Sequence, residues 1–335
     1  MSRNLFFTRL VGTCFAVATL TVTAAYGEDA SDEPVGRPRI GLVLGGGGAR
    51  GAAHVGVLKE LERLRIPVDA IAGTSMGAIV GGLYATGMNA EDLERLVESL
   101  DWAAALSDKP ARKTLSFRRK QDERQFPINF ELGIRGSDLL LPRGVVQGQK
   151  LDLLLRELTL HVSHITNFDD FAIPFRAIAS DIVAGEAFVM AGGDFAKSIR
   201  ASMSVPGIFA PVRIDGRSLV DGGLVGNLPI DVMKQMGVDI IIAVDVEFPL
   251  YAADELESVL AISEQMLTIM IRKETRRQID TMSESDILIR PMLGTYASGN
   301  FNDILDTIEP GRQAVLEQSA RLQELSLSES EWPAY

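Results

Sequence analysis

A short apolar run, Asp69-Ala70-Ile71-Ala72, leads without a break into Gly73-Thr74-Ser75-Met76-Gly77, and that in turn into small residues from Ala78 to Thr86. A strand followed at once by a helix leaves a tight turn between them. G-x-S-x-G puts a serine in that turn, with glycines where a Cβ would clash. Such a turn holds the serine Oγ clear of the backbone, which marks Ser75 as a candidate nucleophile and the chain as α/β. Two more glycine-framed sites accompany it: Gly45-Gly46-Gly47-Gly48-Ala49-Arg50-Gly51 at the end of residues 40–44, and Asp221-Gly222-Gly223 far downstream. Together the three imply acyl-transfer chemistry on a serine.

The remaining pattern agrees with that class. Apolar runs at 40–44, 70–72, 175–179, 218–220, 240–246 and 287–289 read as buried strands. Helix-period segments at 54–64, 75–86, 90–100, 149–159 and 229–236 fall between several of them. The alternation predicts a three-layer α/β/α sandwich, with a central, mostly parallel sheet covered by helices on both faces. Residues 254–283 read as one long amphipathic helix, and another helix is expected around 312–323. At 335 residues and 46% hydrophobic content the chain can bury a full core of this kind. There is no internal repeat.

The N-terminus carries a different signal. Arg3 and Arg9 form a basic region ahead of the uncharged stretch 10–23, and Ala25 and Gly27 are small residues at the −3 and −1 positions of a cleavage site before Glu28-Asp29. Residues 1–27 therefore read as a signal peptide rather than an anchor. Residues 28–38, acidic with two prolines, read as a linker. The one cysteine, Cys14, lies inside the apolar stretch, so the exported chain would carry no disulfide. Residues 1–27 hold two arginines and no acid, so removing them takes the net charge from −12 to −14. That balance argues against nucleic acid as a partner and against holding an anionic membrane by bulk charge.

One stretch fits the alternation badly. Residues 109–148 mix Phe117, Phe126, Phe130 and Leu139-Leu140-Leu141 with basic residues such as Arg118, Arg119 and Lys120. The stretch reads as an insertion packed on the body, or as a flap that meets a lipid surface.

The glycine loop admits two chemistries. Gly46-x-Gly48-x-x-Gly51 satisfies the dinucleotide fingerprint, but the second strand ends without the acidic residue needed for a ribose hydroxyl, and no Gly-Lys-[Ser/Thr] makes a P-loop. As an oxyanion site the loop offers successive N–H groups at a positive helix end. Arg50 either braces the loop or contacts phosphate. Ser75 then needs a base. None of the three histidines, His54, His161 and His164, follows an acid in the order of the α/β-hydrolase triad. Asp221, ending the apolar Leu219-Val220, can accept the serine proton directly once burial raises its pKa.

These residues carry a family resemblance. Gly46-Gly47-Gly48-Ala49-Arg50-Gly51, Gly73-Thr74-Ser75-Met76-Gly77, Ala201-Ser202-Met203-Ser204-Val205-Pro206 and Asp221-Gly222-Gly223 resemble, in order, the four blocks of patatin-like phospholipases, over roughly residues 39–289. The resemblance implies a Ser75–Asp221 dyad, an oxyanion hole from Gly46, Gly47 and Gly48, and motif support from Arg50, Gly51, Gly73, Gly77, Gly222 and Gly223. It implies hydrolysis of acyl esters of phospholipids, of the phospholipase A type, with no cofactor and no metal. The block from Ala201 to Pro206 would support the site. A patatin-like domain over 39–300 and a helical extension over 301–335 are expected. With the export signal, the chain resembles the passenger domain of bacterial patatin-like autotransporters, in which a POTRA module and β-barrel follow. No barrel-like alternation follows the last expected helix, so a standalone or truncated member in the periplasm, at the outer membrane or secreted is expected. An inactive lipid-binding module and a soluble carboxylesterase stand as alternatives. A homo-oligomer stays open.

Overall fold

The computed structural model describes residues 36–108, 116–117, 133–135, 138–140 and 146–332. The signal-peptide reading, Cys14 and most of the linker lie outside the described residues, as does most of 109–148, including Arg118, Arg119 and Lys120. From Pro38 onward the chain forms one compact unit. Its strands are β1 (Ile40–Leu44), β2 (Ala70–Thr74), β3 (Gly133–Arg135), β4 (Asp138–Leu140), β5 (Phe175–Asp181), β6 (Glu186–Met190), β7 (Val212–Ile214), β8 (Arg217–Asp221), β9 (Ile240–Val244) and β10 (Ile287–Ile289). Eight of them make one sheet in the order β10-β9-β1-β2-β5-β8-β7, with β6 also on β5. The run from β10 to β5 is parallel, whereas β6 and β8 oppose β5 and β7 opposes β8. Within 109–148, β3 and β4 form a separate antiparallel pair.

Alternate residues of the parallel strands feed two cores. Ile40, Leu42 and Leu44 face one side, where they join Val55 and Leu58 of the helix Ala53–Arg63 and Leu83 of the helix Met76–Ala85. Val43 faces the other side, with Ala70, Ala72 and Ile241, and packs under Ile230 and Met233 of the helix Ile230–Gln235. Fully burying each such aliphatic side chain contributes about 1.5–3 kcal/mol. Both faces are covered, which is why these strands read as unbroken apolar runs. The architecture is the α/β/α sandwich expected.

Two edge strands escaped the apolar-run criterion. β6 leaves most of its residues in solvent, and β7 is a short, half-buried edge. β7 spans only three residues with an arginine at its centre, whereas β6, Glu-Ala-Phe-Val-Met, is mostly apolar in sequence yet lies largely in solvent. The long helix is shorter than expected, Val259–Ile279, because Ser258 caps it by accepting the Ala261 N–H at 3.0 Å. The chain around 312–323 forms two helices, Ile308–Glu317 and Ser319–Gln323. The first of these packs into the body. A Cβ on Gly56 would lie 1.9 Å from the Ile308 carbonyl oxygen, and one on Gly311 2.0 Å from that of Ala53. Two glycines facing each other let these helix backbones touch.

The register on β5 creates the site. Ala177 pairs with Met190 of β6 and with Gly73 of β2, while Ala179 pairs with Phe188 of β6 and with Asp221 of β8. Since β6 runs along one edge of β5, β2 and β8 must share the other edge, end to end. They arrive from opposite directions: Thr74 pairs with Ile178, and Asp221 with the next residue, Ala179. The residue after β2 is Ser75.

Candidate active site

Ser75 occupies the one-residue turn between β2 and the helix Met76–Ala85 with φ 53° and ψ −121°. A side chain in this region costs about 1–3 kcal/mol and persists only where its surroundings enforce it. They do so through close backbone packing. A Cβ on Gly73 would sit 2.4 Å from the Gly77 carbonyl oxygen, and one on Gly77 2.2 Å from that of Leu44. Ser202 supplies the remaining restraint: its Oγ accepts the Ser75 N–H at 2.9 Å and donates to the Ile178 carbonyl at 2.5 Å. The Ser75 side chain makes no helix-capping bond, so its hydroxyl is left for chemistry.

That hydroxyl meets Asp221. Ser75 lies beside the Asp221 carboxyl group, close enough to favour its ionised form, and the Gly223 N–H donates to Asp221 Oδ1 at 2.8 Å. The Asp221 backbone is fixed on both sides, its N–H donating to the Ser204 carbonyl and its own carbonyl accepting from Ser180 Oγ at 2.7 Å. Burial dominates the carboxyl's electrostatics and lifts its pKa to about 6, with Ser75 and the Gly223 N–H pulling the other way. Among the described residues no cation forms an ion pair with it. Gly222 permits this approach, since a Cβ there would lie 2.4 Å from the Ile178 carbonyl oxygen.

The glycine loop divides its roles among its residues. The Gly46 N–H donates to the Asn227 carbonyl at 3.3 Å, so this member of the expected oxyanion trio is already committed. What Gly46 provides is space, because a Cβ there would come within 3.1 Å of Ser75 Cβ. No described partner takes the N–H of Gly47 or Gly48, and Gly48, at φ 56°, opens the turn Gly48–Ala52 on the same cleft as Ser75. Gly51 packs on Met76, the residue after the serine.

Arg50 resolves to a brace. Its Nε donates to the Val246 carbonyl at 2.9 Å, and one terminal nitrogen reaches the Gly294 and Tyr296 carbonyls at 3.1 and 2.6 Å. A guanidinium bonded to three carbonyls ties the loop to the segments that carry them, which is the bracing role. His54 is also structural. It is fully buried, its Nε2 lies 2.7 Å from the Gly45 carbonyl oxygen, and burial lowers its pKa to about 4. The ring is therefore neutral at pH 7, donating through Nε2. His161 meets Thr86, and His164 is exposed.

Ser75 and Asp221 open onto a cleft of about 540 Å³. Its walls are mostly apolar, including Met203, Phe209, Phe248, Leu267, Ile271 and Phe301, with Glu255 and Glu264 also on the lining. Sequence reasoning missed most of this wall. The loop 248–251, the segment 295–301 and one face of the helix Val259–Ile279 are far apart along the chain and carry no motif. Ser202 lay in a quoted block, but its bond to the serine N–H has no local signature.

An α/β sandwich with a strained serine between strand and helix, and a buried carboxyl beside it, is the framework of a hydrolase-type serine site. The model of the family described as patatin-like phospholipase matches residues 42–234, and the chain belongs to that family. An uncharacterized NTE family protein of Mycobacterium tuberculosis is 32% identical over 207 residues, which cover 62% of this chain and 49% of that protein. Lysophospholipase NTE1 of Candida albicans is 36% identical over 207 residues, 62% of this chain but 13% of its own. The chain thus spans about half or less of the length of these relatives. Among solved structures, VipD of Legionella pneumophila aligns with 16% identity and a TM-score of 0.45, covering 86% of this chain and 67% of that one.

Proposed function

We propose that the protein is a serine lipid acyl hydrolase of the phospholipase A type. The observation that carries the reading is the strained Ser75 set beside the buried Asp221 carboxyl, whose pKa lies near 6. Ser75 Oγ attacks the ester carbonyl while Asp221 takes its proton. The tetrahedral oxyanion is met by the N–H groups of Gly47 and Gly48, for which no described residue competes. Each such donor is worth about 3–4 kcal/mol in a transition state. Asp221 then returns the proton to the leaving alcohol, and water repeats the cycle on the acyl-enzyme. The apolar cleft supports an acyl chain as the bound group, and the names of the relatives support a phospholipid or lysophospholipid. Fluorophosphonate labelling tests the nucleophile: wild type and Asp221→Asn are treated side by side with Ser75→Ala, and a label that persists in Ser75→Ala overturns the assignment. Mass spectrometry of products from a mixed phospholipid panel then reads the class of ester cleaved.

We also propose export, as a periplasmic, outer-membrane or secreted protein, from the signal-like residues 1–27. The likeness to an autotransporter passenger belongs to the same proposal. It is supported by the union of that signal with a patatin-like domain.

A further inference from the structure

The helix Val259–Ile279 has two apolar faces, and one of them is in solvent. One face turns Leu267 and Ile271 into the cleft. The other exposes Val259 (83%), Ile262, Met266 (61%), Ile269 and Met270. At 100° per residue these five fall within an arc of about 100°, a continuous stripe down the first three turns. Scattered exposed apolar residues need no explanation, but a contiguous stripe does. The rim loop extends it. Leu250 and Tyr251 are also exposed, and the loop is clipped to the helix by Tyr251 Oη donating to Glu264 at 2.8 Å and by the Tyr251 N–H donating to Gln265 at 2.9 Å. Leu250 and Tyr251 line the cleft as well. Exposed apolar residues therefore lie both on the outside of the helix and at the rim of the cleft that holds Ser75.

We infer that this stripe is the surface on which the protein docks to a lipid bilayer, so that an acyl chain passes from membrane to cleft across Leu250 and Tyr251. The inference rests on the proposed lipid hydrolase reading and assigns its membrane contact. Charge along the helix fits a bilayer. From Val259 to Ile271 the helix has one charged residue, Glu264, which is bonded to Tyr251 beside the cleft. Past Ile271, Lys273 and Arg276 continue toward the exposed side at the end of the stripe. An apolar stripe ending in cations suits acyl chains bordered by phosphates.

The test compares the wild-type full chain with the triple variant Met266→Asp, Ile269→Asp, Met270→Asp, whose positions are exposed and lie outside the cleft. Flotation with phosphatidylcholine vesicles containing a minor fraction of phosphatidylglycerol reads binding. Release from those vesicles and hydrolysis of a dispersed short-chain ester read turnover. We expect vesicle binding and vesicle turnover to fall at least tenfold, with short-ester turnover within twofold of wild type. Ser75→Ala, in the same flotation, should bind like wild type, which separates docking from catalysis: loss of the hydrolase reading would leave this binding intact. Vesicle binding by the triple variant within twofold of wild type overturns the inference. So does a wild-type dimer that the variant dissociates.

Discussion

Ser75 and Asp221 are joined through consecutive residues of one strand: β2 ends with Thr74 opposite Ile178, and β8 ends with Asp221 opposite Ala179. The two functional groups are carried by strands that approach head to head on a single edge. Their separation is thus set by backbone register, the least adjustable dimension of a sheet. Ser202, which bonds both the Ser75 N–H and the Ile178 carbonyl, closes the gap where the strands meet.

That arrangement makes Ser202 a positioning residue. Ser202→Ala leaves the Ser75 N–H and the Ile178 carbonyl without their buried partner, a loss of about 1–3 kcal/mol in stability. The serine should also drift from its alignment, lowering kcat about 10- to 100-fold with KM little changed. Thermal melting and steady-state kinetics check this. Unaltered kcat in the folded variant would show that the glycine packing alone fixes the elbow.

The strain at Ser75 predicts a difference between two inactive variants. Both Ser75→Ala and Ser75→Gly lack the nucleophile and should show less than about a hundredth of wild-type turnover. Glycine, however, occupies φ 53° freely, whereas alanine keeps the Cβ there. Ser75→Gly should therefore be the more stable of the two, by about 1 kcal/mol. Equal melting temperatures would mean that the turn is relaxed.

Much of this site could be read from the sequence, for a physical reason. A strained serine turn requires glycines nearby, a donor loop requires more, and glycine at fixed offsets is visible in a single sequence. The parallel strands were legible because both their faces are buried. β7 was not, because its three residues centre on an arginine, and β6 was missed although four of its five residues are apolar. The Gly46 N–H was misassigned, since its partner, the Asn227 carbonyl, is a backbone group 181 residues away that leaves no mark on side-chain pattern. The cleft wall from the helix Val259–Ile279 was likewise unreadable. Amphipathic periodicity shows that a helix has an apolar side, but not that a second apolar side is left in solvent.

Histidine should be dispensable. His161 and His164 lie away from the dyad, and replacing both by Gln should leave kcat/KM within about twofold, a change under about 0.5 kcal/mol. His54 holds the Gly45 carbonyl, so adding His54→Asn should reduce stability more than it alters the pH dependence of the rate. A folded triple variant as inactive as Asp221→Asn would overturn the dyad.

Processing follows from Ala25 and Gly27. Protein recovered from the cell envelope should begin near Glu28 on N-terminal sequencing. An intact Met1 in the membrane fraction would point to an uncleaved anchor instead.

The raised pKa of Asp221 links activity to stability in opposite senses. The carboxylate is the proton acceptor, so kcat/KM should fall on the acid side with an apparent pKa of about 6. Asp221→Asn should be nearly inactive at every pH, because an amide cannot take the proton. For stability the sign reverses. A carboxyl whose folded pKa exceeds its unfolded value of 3.8 stabilises the fold while protonated, in full below 3.8, and that contribution is lost as pH rises through about 6. The rise from 3.8 to about 6 is equivalent to about 3 kcal/mol between the two ends of that range. The neutral amide keeps the Gly223 N–H satisfied and carries no charge into the buried site. Asp221→Asn should therefore melt above wild type at pH 8, and the difference should hold down to about pH 6 and then shrink toward pH 4. A constant difference across that range would mean that Asp221 does not titrate near 6, and the acid limb of the rate profile would then belong to another group.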